Sequence, residues 1–269
     1  MTTVNLEPAS VTLNVDAGGI ATVVLNRPAS ANAMDVGLLT ALHRALLACH
    51  VRPDVRVVIL RGAGRHFCAG GDIRDFLSHG DRLPSHVKEV ATWFQAVTTA
   101  MLSLHQPIIG QVHGYAAGGG GLGLVGSCDF VIAGASAKFV SSAVGVGLIP
   151  DGGLTAILTH LVGLRRAMEI VMTNPTLDAD EAHRIGLITR VVGDDELDSA
   201  VAEYARRLAS AAPLALAECK RLLWNGLGAS VTTALPQEAA AVVRLSATAD
   251  CREGLTAVNE RRPANFQGS

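Results

Sequence analysis

The spacing of apolar residues changes along the first part of the chain, from an alternating pattern to a helical one. Residues 11–26 alternate on both sides of a polar turn at 16–19, which predicts a hairpin of two strands. Apolar leucines then recur at helical spacing over residues 36–50. Asp35 stands directly before them and belongs to a residue type that caps helices, so a helix is expected to begin there.

Short and nearly continuous apolar runs follow at 55–60, 108–112 and 130–133. Such runs are typical of strands that are buried on both faces of a parallel sheet. Strands and helices alternate over the first two-thirds of the chain, which predicts an α/β core with parallel strands. Residues 196–258 show the periodicity of amphipathic helices. The chain is therefore divided into a core at 1–195 and a helical region at 196–269.

The overall composition fits such a core and narrows the functional classes. The chain has 269 residues, 49% of them hydrophobic, and a formal net charge of −2. This balance argues against nucleic acid or an anionic membrane surface as a partner. The five cysteines form no C-x-x-C pair, which favours free thiols. Because neither a membrane span nor a secretory signal is visible, a cytoplasmic protein is expected.

Two glycine-rich segments carry the first chemical signal. Residues 65–73 and 113–123 each follow a predicted buried strand and precede a predicted helix. Glycine lets a ligand approach the main chain, and free N–H groups at a helix N-terminus favour negative charge. Two such loops side by side can direct two N–H donors at one oxygen atom, which is an oxyanion hole. Either loop taken alone is more simply explained as a tight turn.

Nucleotide and metal sites find less support in the sequence. Gly118, Gly120 and Gly123 match the spacing of a dinucleotide-binding fingerprint. The fingerprint also requires an acidic residue about 20 positions later for the ribose, and none is present, so no nucleotide cofactor is expected. No group of histidine, cysteine and carboxylate residues has metal-ligand spacing, so no metal is expected either.

Several short motifs occur in one order along nearly the whole chain. They are LNRP at 25–28, NA at 32–33, FCAGGD at 67–72, GGGLGL at 119–124, CD at 128–129, EGL at 253–255 and ERRP at 260–263. In order and spacing this set resembles the crotonase superfamily of enoyl-CoA hydratases and isomerases. A further stretch, GLIPDGG at 147–153, is most similar to that of bacterial enoyl-CoA isomerases of the phenylacetate-pathway type.

The resemblance implies a fold, a substrate class and an assembly. The fold would be an α/β, crotonase-like ββα superhelix core, followed by a C-terminal helical region that mediates trimerisation. The substrate would be an acyl-CoA thioester, and no cofactor would be needed beyond the coenzyme A moiety of the substrate. The assembly would be a homotrimer or a homohexamer.

The resemblance also implies which residues form the site. Gly71 and Gly120 would donate the two oxyanion N–H groups, and the long glycine run leaves Gly119 open as the second donor. The coenzyme A moiety would be bordered by Ala31, Ala69, Asp72, Ile73 and Arg261. Asp72 is also well placed to cap a helix, and Arg261 is equally well explained as an exposed surface charge.

Hydratases of this family use two glutamates that flank a water molecule, and both are missing here. The corresponding positions are Gly123 and Ala143, which can neither transfer a proton nor orient water. Asp151 matches the aspartate base of the isomerases. The residues alone suggest another role for Asp151, because Pro-Asp-Gly-Gly ahead of a helix that starts at Leu154 is well suited to N-capping.

The sequence therefore favours an enoyl-CoA isomerase that shifts a double bond from Δ3 to Δ2 with Asp151 as its single base. Apolar neighbours of Asp151 would raise the pKa of its carboxyl group. The first alternative is an enoyl-CoA hydratase or another lyase of the family with a relocated acid or base. The second alternative is an acyl-CoA binder without catalytic activity. The length and branching of the acyl group stay open.

Overall fold

Parallel strands form the centre of the fold. The computed structural model describes residues 9–269. Residues 1–8 belong to the predicted core and to the N-terminal segment in which no secretory signal was predicted, and they lie outside the described residues. The strands are β1 (Val11–Val15), β2 (Ile20–Leu25), β3 (Val57–Gly62), β4 (Ile108–Val112), β5 (Tyr115–Ala117), β6 (Phe130–Gly134), β7 (Lys138–Val140), β8 (Leu177–Asp178) and β9 (Arg190–Val192). The helices are α1 (Val36–His50), α2 (Ile73–Ser78), α3 (Leu83–Ser103), α4 (Gly118–Ser127), α5 (Leu154–Val162), α6 (Leu164–Thr173), α7 (Ala179–Arg184), α8 (Leu197–Ala209), α9 (Pro213–Gly226), α10 (Val231–Ser246) and α11 (Ala249–Glu260).

The strands form one large sheet and one small sheet. The large sheet has the order β1-β2-β3-β4-β6-β9, and the small one has the order β5-β7-β8. β1 and β2 pair in antiparallel fashion with Val11 opposite Leu25, which confirms the hairpin. All other neighbours in the large sheet pair in parallel. The predicted α/β core with parallel strands is therefore confirmed. The short strands of the small sheet were not predicted.

Helices cover both faces of the large sheet. α1 and α3 pack together on one face, where Phe94 joins the main hydrophobic core. α8 lies on the other face and buries Val201 and Ala205 in a smaller cluster. Each large apolar side chain buried in this way contributes about 1.5–3 kcal/mol to folding. α3 begins at Leu83, because Pro84 fits the first turn of a helix, where its missing N–H costs no hydrogen bond.

The glycine run that was expected as a loop forms the first turn of α4. Four glycines in succession, residues 118–121, are poor helix formers. Their packing explains the helix, because a Cβ atom built on Gly121 would lie 2.5 Å from the carbonyl oxygen of Cys68. One built on Gly120 would lie 2.7 Å from Cε of Met34. The helix therefore packs against the first glycine-rich loop at a distance that only glycine permits.

A buried ion pair attaches α9 to the core. Lys220 Nζ lies 2.8 Å from Oδ2 of Asp129, and the lysine is 6% exposed. The other partners of the pair are the carbonyl oxygens of Met101 and Gln106, which accept from Lys220, and the N–H groups of Ile108 and the Trp224 indole, which donate to Asp129. Burial lowers the pKa of Lys220, and Asp129 opposes that shift. Both charges are thus balanced by partners inside the protein.

The C-terminal helices α9–α11 expose many apolar side chains. They include Leu223, Leu227, Val231, Leu235, Val242, Val243, Leu255 and Val258. The predicted helical region at 196–269 also contains α8, which packs on the sheet rather than on the surface. The division at residue 195 and the assembly into trimers or hexamers remain predictions. No helix within residues 9–269 combines the length and the apolar character that crossing a bilayer requires.

Candidate active site

The two glycine-rich segments run side by side in the structure. The N–H of Cys68 donates to the carbonyl oxygen of Tyr115 at 3.1 Å, and the N–H of Ala117 donates to that of Cys68 at 2.8 Å. These bonds form a parallel bridge between Cys68 and Ala116. Segments whose paired residues, Cys68 and Ala116, are 48 positions apart in the sequence are therefore joined like neighbouring strands of a sheet.

Gly70 and Gly118 bring the two main chains into direct contact. A Cβ atom built on Gly70 would lie 2.8 Å from Cα of Gly118, and one built on Gly118 would lie 2.9 Å from Cα of Gly70. Both residues also have positive φ angles, +90° and +70°, which favour glycine. No other residue fits either position without moving the backbone. The contact fixes how close Gly71 comes to the first turn of α4.

Asn32, which was predicted only as part of a motif, holds the first glycine-rich segment in place. Its side-chain amide donates to the carbonyl oxygens of Ala63, His66 and Phe67, at 2.9, 2.8 and 3.2 Å. Its Oδ1 accepts from the N–H of Arg27 at 2.9 Å. Asn32 is fully buried and has a φ of +56°, a conformation that asparagine tolerates better than most residues. One side chain thus orients the segment that leads to Gly71.

Main-chain N–H groups of both segments are left free at one cavity. Gly71 N–H donates no hydrogen bond within residues 9–269. The N-cap of α4 is Ala117, which has no side chain that could accept from the first turn. The first N–H groups of a helix have no partner inside it, so those of Gly119 and Gly120 are available. Both glycines line the same cavity as Gly71, so either can be the second donor.

The cavity between these N–H groups and α3 has a volume of about 360 Å³ and a largely apolar wall. Its wall is formed by Met34, Ala69, Gly71, Ile73, Phe76, Val87, Val90, Ala91, Phe94, Gly118, Gly119, Gly120, Ser142, Ala143, Val146, Leu148, Ile149 and Asp151. Asp151 is the one titratable side chain among these residues of the described chain. A single carboxyl group therefore shares a largely apolar cavity with the free N–H groups of both segments.

Asp151 does not cap α5, contrary to the alternative role that local sequence suggested. The N-cap of α5 is Gly153, and no side chain makes a capping hydrogen bond there. Asp151 contributes only its main-chain oxygen, which accepts from Leu154 N–H at 3.1 Å. Burial raises the pKa of the Asp151 carboxyl above its usual value, as its apolar neighbours predict, and its own N–H opposes the shift. The carboxyl group is thus available for chemistry.

The two positions that hold glutamates in hydratases hold no acid here. Ala143 is 8% exposed and forms part of the cavity wall. Gly123 is buried in α4, and a Cβ atom there would lie 2.8 Å from Cζ of Phe94. The ring of Phe94 occupies the space that a side chain at position 123 would need. Within residues 9–269, Asp151 carries the one carboxyl group on the cavity wall.

Three of the residues proposed for coenzyme A lie at or next to this cavity. Ala69 and Ile73 line it, and Ile73 is 48% exposed at its rim. Ala31 stands behind Ala69, whose N–H donates to the carbonyl oxygen of Ala31 at 3.0 Å. The first glycine-rich segment thus brings these three residues together beside Gly71.

Asp72 and Arg261 have different surroundings. Asp72 is 7% exposed and caps α2, and its carboxylate accepts from Arg27 at 3.1 Å. Its role as a helix cap is therefore confirmed, and contact with coenzyme A stays a prediction. Arg261 is an exposed residue at the end of α11 and does not line the cavity, so its contact with coenzyme A also stays a prediction.

The structure assembles a cluster that linear spacing did not reveal. Asp75, His79 and His86 meet where α2 is followed by α3. His86 Nε2 lies 2.5 Å from Oδ2 of Asp75, and the two imidazole rings stack 3.6 Å apart at 5° to each other. The lone pair of an imidazole nitrogen lies in the ring plane, so two parallel rings cannot both point at one ion. In this arrangement the cluster is a hydrogen-bonded brace between the two helices.

Comparison with known proteins gives consistent matches over the length of the chain. A family model described as enoyl-CoA hydratase/isomerase matches residues 16–269. A crotonyl-CoA hydratase of Syntrophomonas wolfei is 36% identical over 248 residues, covering 92% of this chain and 94% of that protein. A 1,2-epoxyphenylacetyl-CoA isomerase of Escherichia coli is 33% identical over 251 residues, covering 93% and 95%. The crystal structure of an enoyl-CoA hydratase from Bacillus anthracis matches with a TM-score of 0.91 at 31% identity, covering 97% and 100%.

Proposed function

The chain belongs to the enoyl-CoA hydratase/isomerase family of the crotonase superfamily, and we propose that it isomerises 3-enoyl-CoA thioesters to 2-enoyl-CoA thioesters. The observation that carries the proposal is that Asp151 is the one titratable side chain on the described cavity wall. A hydratase must position and activate water between two acids, whereas a double-bond shift needs one base that removes a proton and returns it. The single carboxyl group matches the second requirement.

In the proposed reaction the thioester oxygen accepts hydrogen bonds from the N–H groups of Gly71 and Gly120. Asp151 removes a proton from C2, and the C2–H electron pair moves into the carbonyl to give a dienolate with its charge on that oxygen. The protonated Asp151 then returns the proton to C4, and the double bond settles between C2 and C3. No atom is gained or lost. Each N–H donor to such an oxygen contributes about 2.7–4 kcal/mol to the barrier reduction.

The coenzyme A moiety is part of the substrate in this proposal, and no further cofactor takes part. Ala69 and Ile73 support its placement at the rim of the cavity, with Ala31 behind them. Hydration is the second candidate, favoured by the name of the Syntrophomonas wolfei relative. It requires an acid other than those at positions 123 and 143. A chain that binds acyl-CoA and turns over no enoyl thioester is the third.

The test follows the conjugated thioester chromophore with purified protein. Incubation with 3-hexenoyl-CoA is expected to produce conjugation as the 2-enoyl isomer forms. Incubation with 2-hexenoyl-CoA and water is expected to leave conjugation almost unchanged. Loss of conjugation from 2-hexenoyl-CoA, without isomerisation of the 3-enoyl compound, would contradict the proposal and show that the protein is a hydratase. Binding of both thioesters without any spectral change would indicate a non-catalytic binder.

The pH dependence of the isomerisation provides a further prediction. Asp151 acts as a base only when it is ionised, so kcat/KM is expected to fall as the pH decreases through the pKa of its carboxyl group. Burial raises that pKa, so the acid limb is expected above the ordinary aspartate pKa of about 4. A pH profile measured alongside circular dichroism separates this limb from acid unfolding. An acid limb at or below about 4 in folded protein would contradict the assignment.

A further inference from the structure

One row of side chains on α3 leads from the mouth of the cavity to its inner end. Val87, Val90, Ala91 and Phe94 are spaced so that they share one face of the helix, and all four line the cavity. Val90 and Phe94 are buried, with exposures of 8% and 2%, whereas Val87 and Ala91 are half-buried. The ring of Phe94 therefore lies at the closed end.

Two glycines make room for this ring. A Cβ atom built on Gly123 would lie 2.8 Å from Cζ of Phe94 and 3.8 Å from the main-chain oxygen of Asp151. A Cβ atom on Gly152 would overlap Cε1 of the same ring. Phe94 is thus enclosed between α4 and the turn that carries Asp151. Protein interiors are close-packed, so the ring has no free space into which it could withdraw.

We propose that Phe94 sets the upper limit on acyl length, and that the substrates are enoyl-CoA thioesters with a short, unsubstituted hydrocarbon chain. This inference rests on the proposed function for the location of the acyl group. With the thioester at Gly71 and Gly120 and its reacting carbons beside Asp151, the next carbons reach the ring. Among residues 9–269, the wall offers only Ser142 and Asp151 as polar side chains, so most polar groups on the acyl chain would be left without partners.

Binding of saturated acyl-CoA thioesters tests the limit without turnover. We would titrate butanoyl-, hexanoyl-, octanoyl- and decanoyl-CoA into wild-type protein and into Phe94→Leu. While the chain still fits, each added methylene is expected to improve affinity roughly fourfold. In wild-type protein, affinity is expected to stop improving beyond one chain length within the series. In Phe94→Leu the gain is expected to stop one member later. The first thioester that wild-type protein excludes is two methylenes longer, so the variant is expected to bind it up to about 15-fold more tightly than wild-type protein does.

Phe130→Leu is the matched control, because Phe130 packs against Tyr204 on the other face of the sheet. It is expected to leave the limit unchanged. Phe94→Met replaces Phe94→Leu if thermal unfolding shows that the leucine variant does not fold. The same limit in wild-type protein and a folded Phe94 variant would overturn the inference, as would steady gains up to decanoyl-CoA in wild-type protein.

Turnover of the matching 3-enoyl-CoA series, measured on the same proteins, separates this inference from the proposed function. A shifted binding limit without isomerisation would refute the isomerase and leave the role of Phe94 intact. Isomerisation together with the same chain-length limit in wild-type protein and in the Phe94 variant would refute only the role of Phe94.

Discussion

Asp151→Asn is expected to lower kcat for 3-enoyl-CoA isomerisation by about 10²–10⁴-fold, the usual effect of removing a positioned general base. Asparagine has nearly the same size as aspartate but cannot accept a proton at neutral pH. The N–H groups of Gly71 and Gly120 remain, so KM is expected to change by only a few-fold. Initial rates from the conjugated chromophore over a range of substrate concentrations separate the two constants.

The stability of the same variant serves as its control. Burial raises the pKa of Asp151, so the folded state binds this proton more tightly than the unfolded state does. Folding stability therefore decreases as the pH rises from the unfolded pKa through the folded pKa, and at neutral pH the charge is destabilising. Asp151→Asn removes that charge and is expected to melt at the wild-type temperature or above it. A folded variant that keeps more than about a tenth of the wild-type kcat would eliminate Asp151 as the base.

Lys220→Met is expected to destabilise the protein by about 3–5 kcal/mol, because it leaves the buried carboxylate of Asp129 without its cation. It also removes the donor to the carbonyl oxygens of Met101 and Gln106. The hydrogen bonds from Ile108 N–H and the Trp224 indole stay in place and keep the loss within this range. Urea unfolding at one fixed protein concentration measures the change.

A neighbouring arginine on α9 provides the comparison. Arg221 pairs with Glu218 at 2.8 Å, but its side chain is 40% exposed, so Arg221→Met is expected to destabilise by less than about 1 kcal/mol. Adding Asp129→Asn to Lys220→Met removes the unpaired buried charge and is expected to recover part of the lost stability. If Lys220→Met and Arg221→Met lowered the free energy of unfolding equally, burial of the Lys220–Asp129 pair would not increase the cost of breaking it.

Local patterns were sufficient for the parts of the fold that depend on neighbouring residues. The helical spacing after Asp35 predicted α1, and the Asp35 carboxylate accepts from Leu38 N–H at 2.7 Å, as a helix cap should. The continuous apolar runs predicted β3, β4 and β6, because strands buried on both faces have no polar alternation. The antiparallel hairpin followed from its turn.

Contacts between distant segments could not be read in the same way. The glycine run at 118–121 became helical because it packs against residues 68–70, and helix propensity alone predicts the opposite. The residues around Asp151 favour a helix cap, and only the position of Gly153 as the N-cap showed that Asp151 does not cap α5. Lys220 resembled any charged residue of an amphipathic helix until the fold placed Asp129 beside it.

The contact between Gly70 and Gly118 determines which inherited changes this protein can tolerate. Every single-nucleotide missense change in a glycine codon adds at least a Cβ atom, and at both positions that atom would overlap main-chain atoms of the other segment. Random mutagenesis followed by selection for solubility would therefore recover almost no variants at 70 and 118. Side chains such as the one at 151 can be exchanged without disturbing that contact. A lineage with this backbone can thus vary the side chains of the cavity while the glycine codons at 70 and 118 remain fixed.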